Sequence, residues 1–434
     1  MLRESTVTIG TRLALFVTSA ATALLTARLL GAEGRGLYSL LTQLVLLLSL
    51  AFGLGLGIAN VYFASRRTYG SDVLAGNSLA ATALLGLVAV ATGGLAYVGL
   101  PRVFQGVTAG QLALALVAVP AVLGSQFLSD LVRGHQRLIA YNAINGLSGL
   151  FGAILLVVAL LADPTVESVL LAYVLSVVVA GIAAYGYLAW AEARVRRPRV
   201  DWGAFRAALT FGAKGQAGNV VQYLNYRLGF FLVNYFLSPA AVGVFSIAVV
   251  LAESLWYVTN SVATVLFPRV SAADDPESAR RLTAKASRLG LLVTLPLALG
   301  VAMTAPLLMQ LFGREFAGGW PALWLLLPGT VAFGATNVLA SYLAGLGHPQ
   351  LNALVSAICF AVAVAASLVL IPLWGLNGAA LANSLSYLAA TVLTLYYAKR
   401  VGGIGPRDAL WPAPDDWTDL SGGLQRISHR LLRR

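Results

Sequence analysis

The chain has 434 residues, 59% of them hydrophobic and only 11% charged, with a mean hydropathy of +0.81. A soluble domain of this length cannot hide so much apolar side chain, so water is excluded as the solvent and an integral membrane protein is indicated. The formal charge of +12 does not call for a nucleic acid, because the basic residues sort by loop.

A hydrocarbon layer about 30 Å thick takes roughly 20 apolar helical residues. Segments of that order fall near 7–30, 37–63, 73–100, 110–132, 138–162, 166–191, 207–237, 241–268, 287–312, 319–345, 350–372 and 376–400. Lipid cannot satisfy exposed backbone groups, and these runs are too long and too unalternating for barrel strands, so the sequence predicts an all-α polytopic fold with about twelve transmembrane helices. Arg3, Arg66, Arg67, Arg133, Arg137, the Arg194 to Arg206 group, the Arg269 to Arg288 group and the tail from Lys399 fall on one side. Arg35, Arg102 and Arg314 fall on the other. The positive-inside rule then places both termini in the cytoplasm.

In the first span Thr8, Thr11, Arg12, Ser19, Thr22 and Thr26 share one helical stripe. Hydroxyls there serve either helix packing or a polar cavity. Arg28, off the stripe, reads as an anchor at the outer interface.

The arginine-rich interval from Arg194 to Arg206, with Pro198 and Asp201, divides the chain. The expected organisation is a six-helix bundle over 1–197, a second over 198–400 and a basic cytoplasmic tail over 401–434. Across the divide LGAEGRGLYSL (30–40) echoes LSPAAVGVFSI (237–247), aligning Gly36 with Gly243 and Tyr38 with Phe245. Gly134 and His135 likewise echo Gly347 and His348. Halves of six spans keep one orientation, as in parallel repeats, and in transporters of that kind the substrate route usually lies between the repeats.

The seventh span carries Lys214, Gln216, Asn219, Gln222, Asn225, Tyr226 and Arg227, leaving a narrow apolar stripe. Such a helix is expected to border a hydrated cavity, since each buried ionisable group needs a partner or water. Arg12, Lys214 and Arg227 are the candidate cationic lining. Thr8, Thr11, Ser19, Thr22, Gln216, Asn219, Gln222 and Asn225 are the candidate polar lining. Near the middle of the eighth span stands one acid, Glu253, either an ion-pair partner or a protonatable coupling group.

The single cysteine, Cys359, lies in an apolar span, which excludes a disulfide framework. His135, His348 and His429 have no partner at metal-ligand spacing, so neither a metal nor a cofactor is expected beyond a coupling proton or sodium ion. The short outer loops carry no catalytic constellation, and an enzyme is not expected. The C-terminal LQRISHRLLRR (424–434) reads as a surface helix on anionic lipid.

Several of these segments together resemble a known family: LGAEGRGLYSL, YLNYRLGFFLVNYFLSPAAVGVFSIAVVLAE (223–253), LFPRVS (266–271), LFGREF (311–316) and IPLWGLNGAALANSLSY (371–387). Over residues 5 to 400 the chain resembles the polysaccharide transporter branch, with its Wzx-like flippases, of the multidrug/oligosaccharidyl-lipid/polysaccharide exporter superfamily. The resemblance implies two pseudo-symmetric six-helix bundles in a V like that of the multidrug (MATE) exporters. It also implies passage of undecaprenyl-pyrophosphate-linked oligosaccharide from the inner to the outer leaflet of a bacterial inner membrane by alternating access. Its implied partners are that glycan lipid, membrane lipids and other polysaccharide-assembly proteins. A cation-coupled multidrug antiporter and a peptidoglycan-precursor (lipid II) flippase are the alternatives within the superfamily. Relatives often carry an acid two positions after the arginine equivalent to Arg227, where this chain has Gly229. Glu253 is then the remaining membrane acid.

Overall fold

The computed structural model describes residues 2–271 and 275–416, with side chains from Ala20 onward apart from several between 258 and 271. The LQRISHRLLRR segment lies outside the described residues. Among the described residues every regular element is helical: α1 (Leu2–Phe52), α2 (Leu56–Arg66), α3 (Ser71–Gly99), α4 (Ala109–Gly134), α5 (Leu138–Ala162), α6 (Val166–Ala191), α7 (Trp202–Phe236), α8 (Pro239–Glu253), α9 (Trp256–Ser271), α10 (Pro276–Leu311), α11 (Trp320–Gly345), α12 (Pro349–Gly402) and α13 (Pro406–Leu410). Among the described residues eight helices are long and apolar enough to cross a bilayer. Two of them are double: α1 is broken at Gly31 (φ 70°) and α12 at Gly375 (φ 56°), left-handed positions that favour glycine. With the polar α7 and the α8–α9 pair, these breaks restore the expected twelve segments.

The chain forms two compact units. One comprises Met1–Ser246 with Leu311–Phe316; the other comprises Ile247–Gln310 with Ala317–Arg434.

In the first unit the echo between residues 30–40 and 237–247 is a physical contact. A β-carbon on Gly36 would collide with the Pro239 carbonyl, and one on Gly243 with the Ala32 carbonyl. Since Ala32 aligns with Pro239, each glycine sits over the carbonyl four residues before its counterpart. Arg35 reinforces the crossing. The sequence places it in an outer loop, but it is 8% exposed within α1 and donates from Nη1 to Thr26 Oγ1 at 2.7 Å and from Nε to Ser246 Oγ at 3.2 Å. The helix after the Gly31 break begins with an orphan N–H at Ala32, and the Glu315 carboxylate accepts it at 2.7 Å. Arg28, the expected anchor, donates from Nε to the Leu311 carbonyl at 2.9 Å, so the LFGREF segment is held at both ends. At the start of α3, Asp72 pairs with Arg199 at 2.5 Å and fixes the linker that leads into α7.

In the second unit α11 packs along α9 and α12. Trp256, Phe333 and Tyr387 meet with ring centroids 5.0 to 5.4 Å apart. Residues 403–416, within the expected basic cytoplasmic tail, are docked on the second unit: Ile404, Ala409 and Asp416 are fully buried. Arg288 donates from Nε to Asp416 Oδ2 at 2.6 Å and from Nη1 to the Asp408 carbonyl at 2.7 Å, while Tyr342 donates its hydroxyl proton to the Gly402 carbonyl. Burial pushes the Asp416 carboxyl up, but hydrogen bonds from Arg288 and the Ala413 N–H, with the charges of Arg288 and Lys285, outweigh it and hold the group below its usual value.

Two outcomes follow from these contacts. Gly36→Val or Gly243→Val forces two backbones apart and is expected to destabilise by about 1–3 kcal/mol, read as a lowered Tm in detergent; an unchanged Tm would refute the close crossing. Because the Asp416 carboxyl is depressed, its stabilisation is complete above the ordinary carboxylate range, about pH 4, and fades as pH falls through the lowered value. Hydrogen exchange at residues 404–410 should therefore stay slow at neutral pH and accelerate only in stronger acid, whereas Asp416→Asn should be fast already at neutral pH.

Candidate functional site

The first unit holds a polar cavity of about 360 Å³ where α1 gives way to α2. The chain turns there through Leu54 (φ 46°) and Gly55 (φ 69°), and a bilayer offers no water to the backbone groups that such a turn exposes. Protein groups meet them. Gln216 of α7 is buried and donates from Nε2 to the Leu50 carbonyl at 2.5 Å. Gly55 and Gly212 interlock backbone to backbone, since a β-carbon on either would strike the other's carbonyl. The Asp130 carboxylate of α4 fills the space that a side chain at Gly57 would take, at the N-terminal turn of α2. A helix N-terminus is favourable ground for an anion.

The walls carry polar groups not consumed by the fold. Ser49 is 1% exposed and its hydroxyl has no hydrogen-bond partner. Asn219 donates to Gln216 Oε1 at 3.3 Å, and Asn145 donates to the Tyr141 carbonyl at 2.8 Å; each thereby keeps its own side-chain carbonyl for the cavity. Gln126, Ser125 and Ser129 line it as well. The one charged element is internally neutral: Arg133 Nη2 lies 2.9 Å from Asp130 Oδ1, with its guanidinium 5.7 Å from the Tyr141 ring centroid. The cavity thus offers hydroxyls, amides, an aromatic face and a neutralised ion pair, a combination suited to a polyhydroxylated ligand.

Of the residues expected from sequence, Gln216 and Asn219 meet in this cavity. Lys214 is exposed on α7 and does not line it. Gln222, Asn225 and Arg227 lie further along the same helix; Asn225 is buried, and the half-buried Arg227 sits 5.8 Å from the Phe230 ring centroid. At 1.5 Å per residue, Lys214 and Arg227 are separated by about 20 Å along α7. Thr22 is half-buried on α1, and its carbonyl accepts the Thr26 hydroxyl at 2.6 Å. Thr8, Thr11, Arg12 and Ser19 belong to α1, but their side chains lie outside the described residues. Glu253 ends α8 at the Ser254–Leu255 break and is half-buried in the second unit.

Asp130, Arg133, Tyr141 and Asn145 were not expected as site residues. Asp130 and Arg133 look in sequence like the charged end of a span, and only the turn at Leu54 and Gly55 folds the start of α2 over them. The available signal was the FGLGLG run (52–57), whose glycines mark the turn. Gln216→Leu leaves the Leu50 carbonyl unmet and is expected to cost about 1–3 kcal/mol in thermal or denaturant unfolding, whereas Asn219→Ala should cost under about 1 kcal/mol. Equal costs would remove the distinction between a structural and an available amide.

A family model described as polysaccharide biosynthesis protein matches residues 24–318. No curated protein gives a significant sequence match. Among solved structures, the lipid II flippase MurJ in an inward closed conformation is similar at TM-score 0.73 and 13% identity, covering 92% of this chain and 88% of its own. An inward-facing multidrug resistance MATE family transporter of the MOP superfamily is similar at TM-score 0.70 and 17% identity, over 89% and 93% of the two chains. The Vibrio cholerae MATE transporter VcmN follows at TM-score 0.63 and 14% identity, over 92% and 96%. At these identities the likeness shows the fold, that of membrane transporters and flippases.

Proposed function

The chain belongs to the polysaccharide biosynthesis protein family, and from that premise we propose that it is a flippase carrying undecaprenyl-pyrophosphate-linked oligosaccharide from the cytoplasmic to the outer leaflet for cell-surface polysaccharide synthesis. The observation that carries this reading is the collection of side-chain amides and hydroxyls on the walls of the first unit's cavity. Sugar hydroxyls both donate and accept, and they match the side-chain amides of Asn145, Asn219 and Gln126 on the cavity walls.

In this reading the pyrophosphate is met by Arg12, Lys214 and Arg227, whose charge-assisted hydrogen bonds replace part of its hydration during passage. The cations are spaced along their helices, so they serve successive positions of a moving head group. Glu253 is the candidate for coupling to a proton or sodium gradient. Both termini are assigned to the cytoplasmic side of a bacterial inner membrane by the distribution of basic residues.

The test is translocation of a fluorescent undecaprenyl-pyrophosphate oligosaccharide in proteoliposomes. Two sugar hydrogen bonds of about 1 kcal/mol each predict roughly a thirtyfold slower rate for Asn145→Ala/Asn219→Ala, with the fold checked by Tm. Replacing Arg12, Lys214 and Arg227 together with Gln should abolish translocation of the pyrophosphate-linked substrate. Wild-type rates in either variant would remove the corresponding half of the proposal.

A further inference from the structure

Arg35 is buried in the first unit without a countercharge. It stands four residues past the Gly31 break and is 8% exposed, and among the described residues no carboxylate pairs with it. Its bonds go instead to neutral hydroxyls, from Nη1 to Thr26 and from Nε to Ser246. Neither hydroxyl depends on them. Thr26 donates to the Thr22 carbonyl at 2.6 Å and Ser246 to the Gly243 carbonyl at 2.7 Å, so both stay bonded without the arginine. The helix crossing beside it is closed by the backbone contacts of Gly36 and Gly243. Desolvating a full charge costs more than hydrogen bonds to two neutral hydroxyls return, and an apolar side chain of similar volume in such a place is neutral or stabilising. Packing alone therefore does not account for an arginine at this position.

What Arg35 offers is donors. With Nη1 and Nε engaged, Nη2 has no acceptor among the described residues. Nη2 is not sealed in the core, so the small exposed part of Arg35 includes a donor edge. Ser39, one turn along the same helix face, is 4% exposed and its hydroxyl has no partner either. Packing also ties this region to the far half of α7. Phe245, beside Ser246, has its ring 5.5 Å from that of Phe230, and the Arg227 guanidinium lies 5.8 Å from the Phe230 ring. A fixed positive charge with unused donors calls for an anion with several acceptor oxygens. A phosphate group is the kind that a guanidinium grips with parallel bonds.

We propose that Arg35 is a binding residue for the pyrophosphate of the lipid-linked substrate, holding it at the end of the first unit assigned to the outer leaflet. The inference rests on the flippase reading for the identity of the phosphorylated ligand. It adds to that reading a cation on α1, separate from Arg12, Lys214 and Arg227. The uncompensated charge destabilises the empty protein and is neutralised when the anion binds, so the site gains affinity from relief of that burial as well as from direct hydrogen bonds.

The experiment uses the full chain in detergent with farnesyl pyrophosphate, a short lipid pyrophosphate without sugar, and reads Tm and Kd. Arg35→Met should keep or raise the Tm of the unliganded protein while weakening farnesyl pyrophosphate binding at least about tenfold, the loss of one charge-assisted bond. Arg35→Lys keeps the charge without the planar fork and should bind between the two. Arg28→Gln removes an exposed arginine whose Nε already serves the Leu311 carbonyl, and it should bind as wild type does. Excess phosphatidylglycerol should not displace the probe. A lowered Tm in Arg35→Met would make the arginine structural and overturn the proposal. Wild-type affinity in that variant, no saturable binding by the wild type, or displacement by phosphatidylglycerol would overturn it equally. Neither sugar nor translocation enters this assay. Arg35-dependent binding in a chain that does not translocate defeats the flippase reading alone, whereas translocation with binding indifferent to Arg35 defeats this inference alone.

Discussion

The constraint on which the structure depends is that a bilayer core supplies no hydrogen bonds to the backbone. Helices satisfy it internally except where they end, break or contain proline, and there the chain spends specific side chains from neighbouring segments. Glu315 takes the N–H of Ala32 after the Gly31 break, and Gln216 covers the Leu50 carbonyl before the turn at Gly55. Trp324 covers the Ala302 carbonyl that Pro306 cannot reach, Tyr342 covers Gly402, and Gln105 covers the carbonyls of Asn234 and Leu237 at the end of α7. Each cap is also a tie between segments distant in sequence, so one requirement both permits the breaks and fixes how the helices pack around them.

The polar cavity is a by-product of this arrangement. A helix that stops inside a bundle must bring polar groups with it, and once Gln216 and Asp130 are placed, further hydroxyls and amides reside beside them at low added cost. The pair of Asp130 and Arg133 keeps the cavity near neutrality while leaving hydrogen-bonding capacity on its walls. Close backbone approach of Gly55 to Gly212 supplies the complementary device, holding α7 near enough to the turn for a glutamine side chain to reach it.

The second unit answers the same constraint differently. Its prolines and its docked segment after α12 leave an apolar slot between α10 and α11, with the Trp324–Ala302 bond at one end and Leu410 at the other. Arg288 is central because it spans burial and charge together: it neutralises Asp416 and holds Asp408, so the hydrophobic residues of 404–410 are kept against α10 and α11.

Composition and the length of the apolar runs determined the all-α membrane class, because these quantities do not depend on which helices meet. The polar face of α7 was legible for the same reason, since helical periodicity alone puts Gln216 and Asn219 on one side. The repeat echo at Gly36 and Gly243 was legible as a pattern. That the two glycines touch, each over the other's carbonyl, was decided by tertiary structure. So was the burial of Arg35, which charge counting alone assigns to a loop. Asp130, Arg133, Tyr141 and Asn145 became a site only because the turn at Leu54 and Gly55 reverses the chain above them, and residues 403–416 became a docked segment only because Arg288, more than a hundred positions earlier, lies within hydrogen-bond reach. Local sequence sets which way a side chain points on its own helix; only the packing of helices far apart in the chain sets what it meets there.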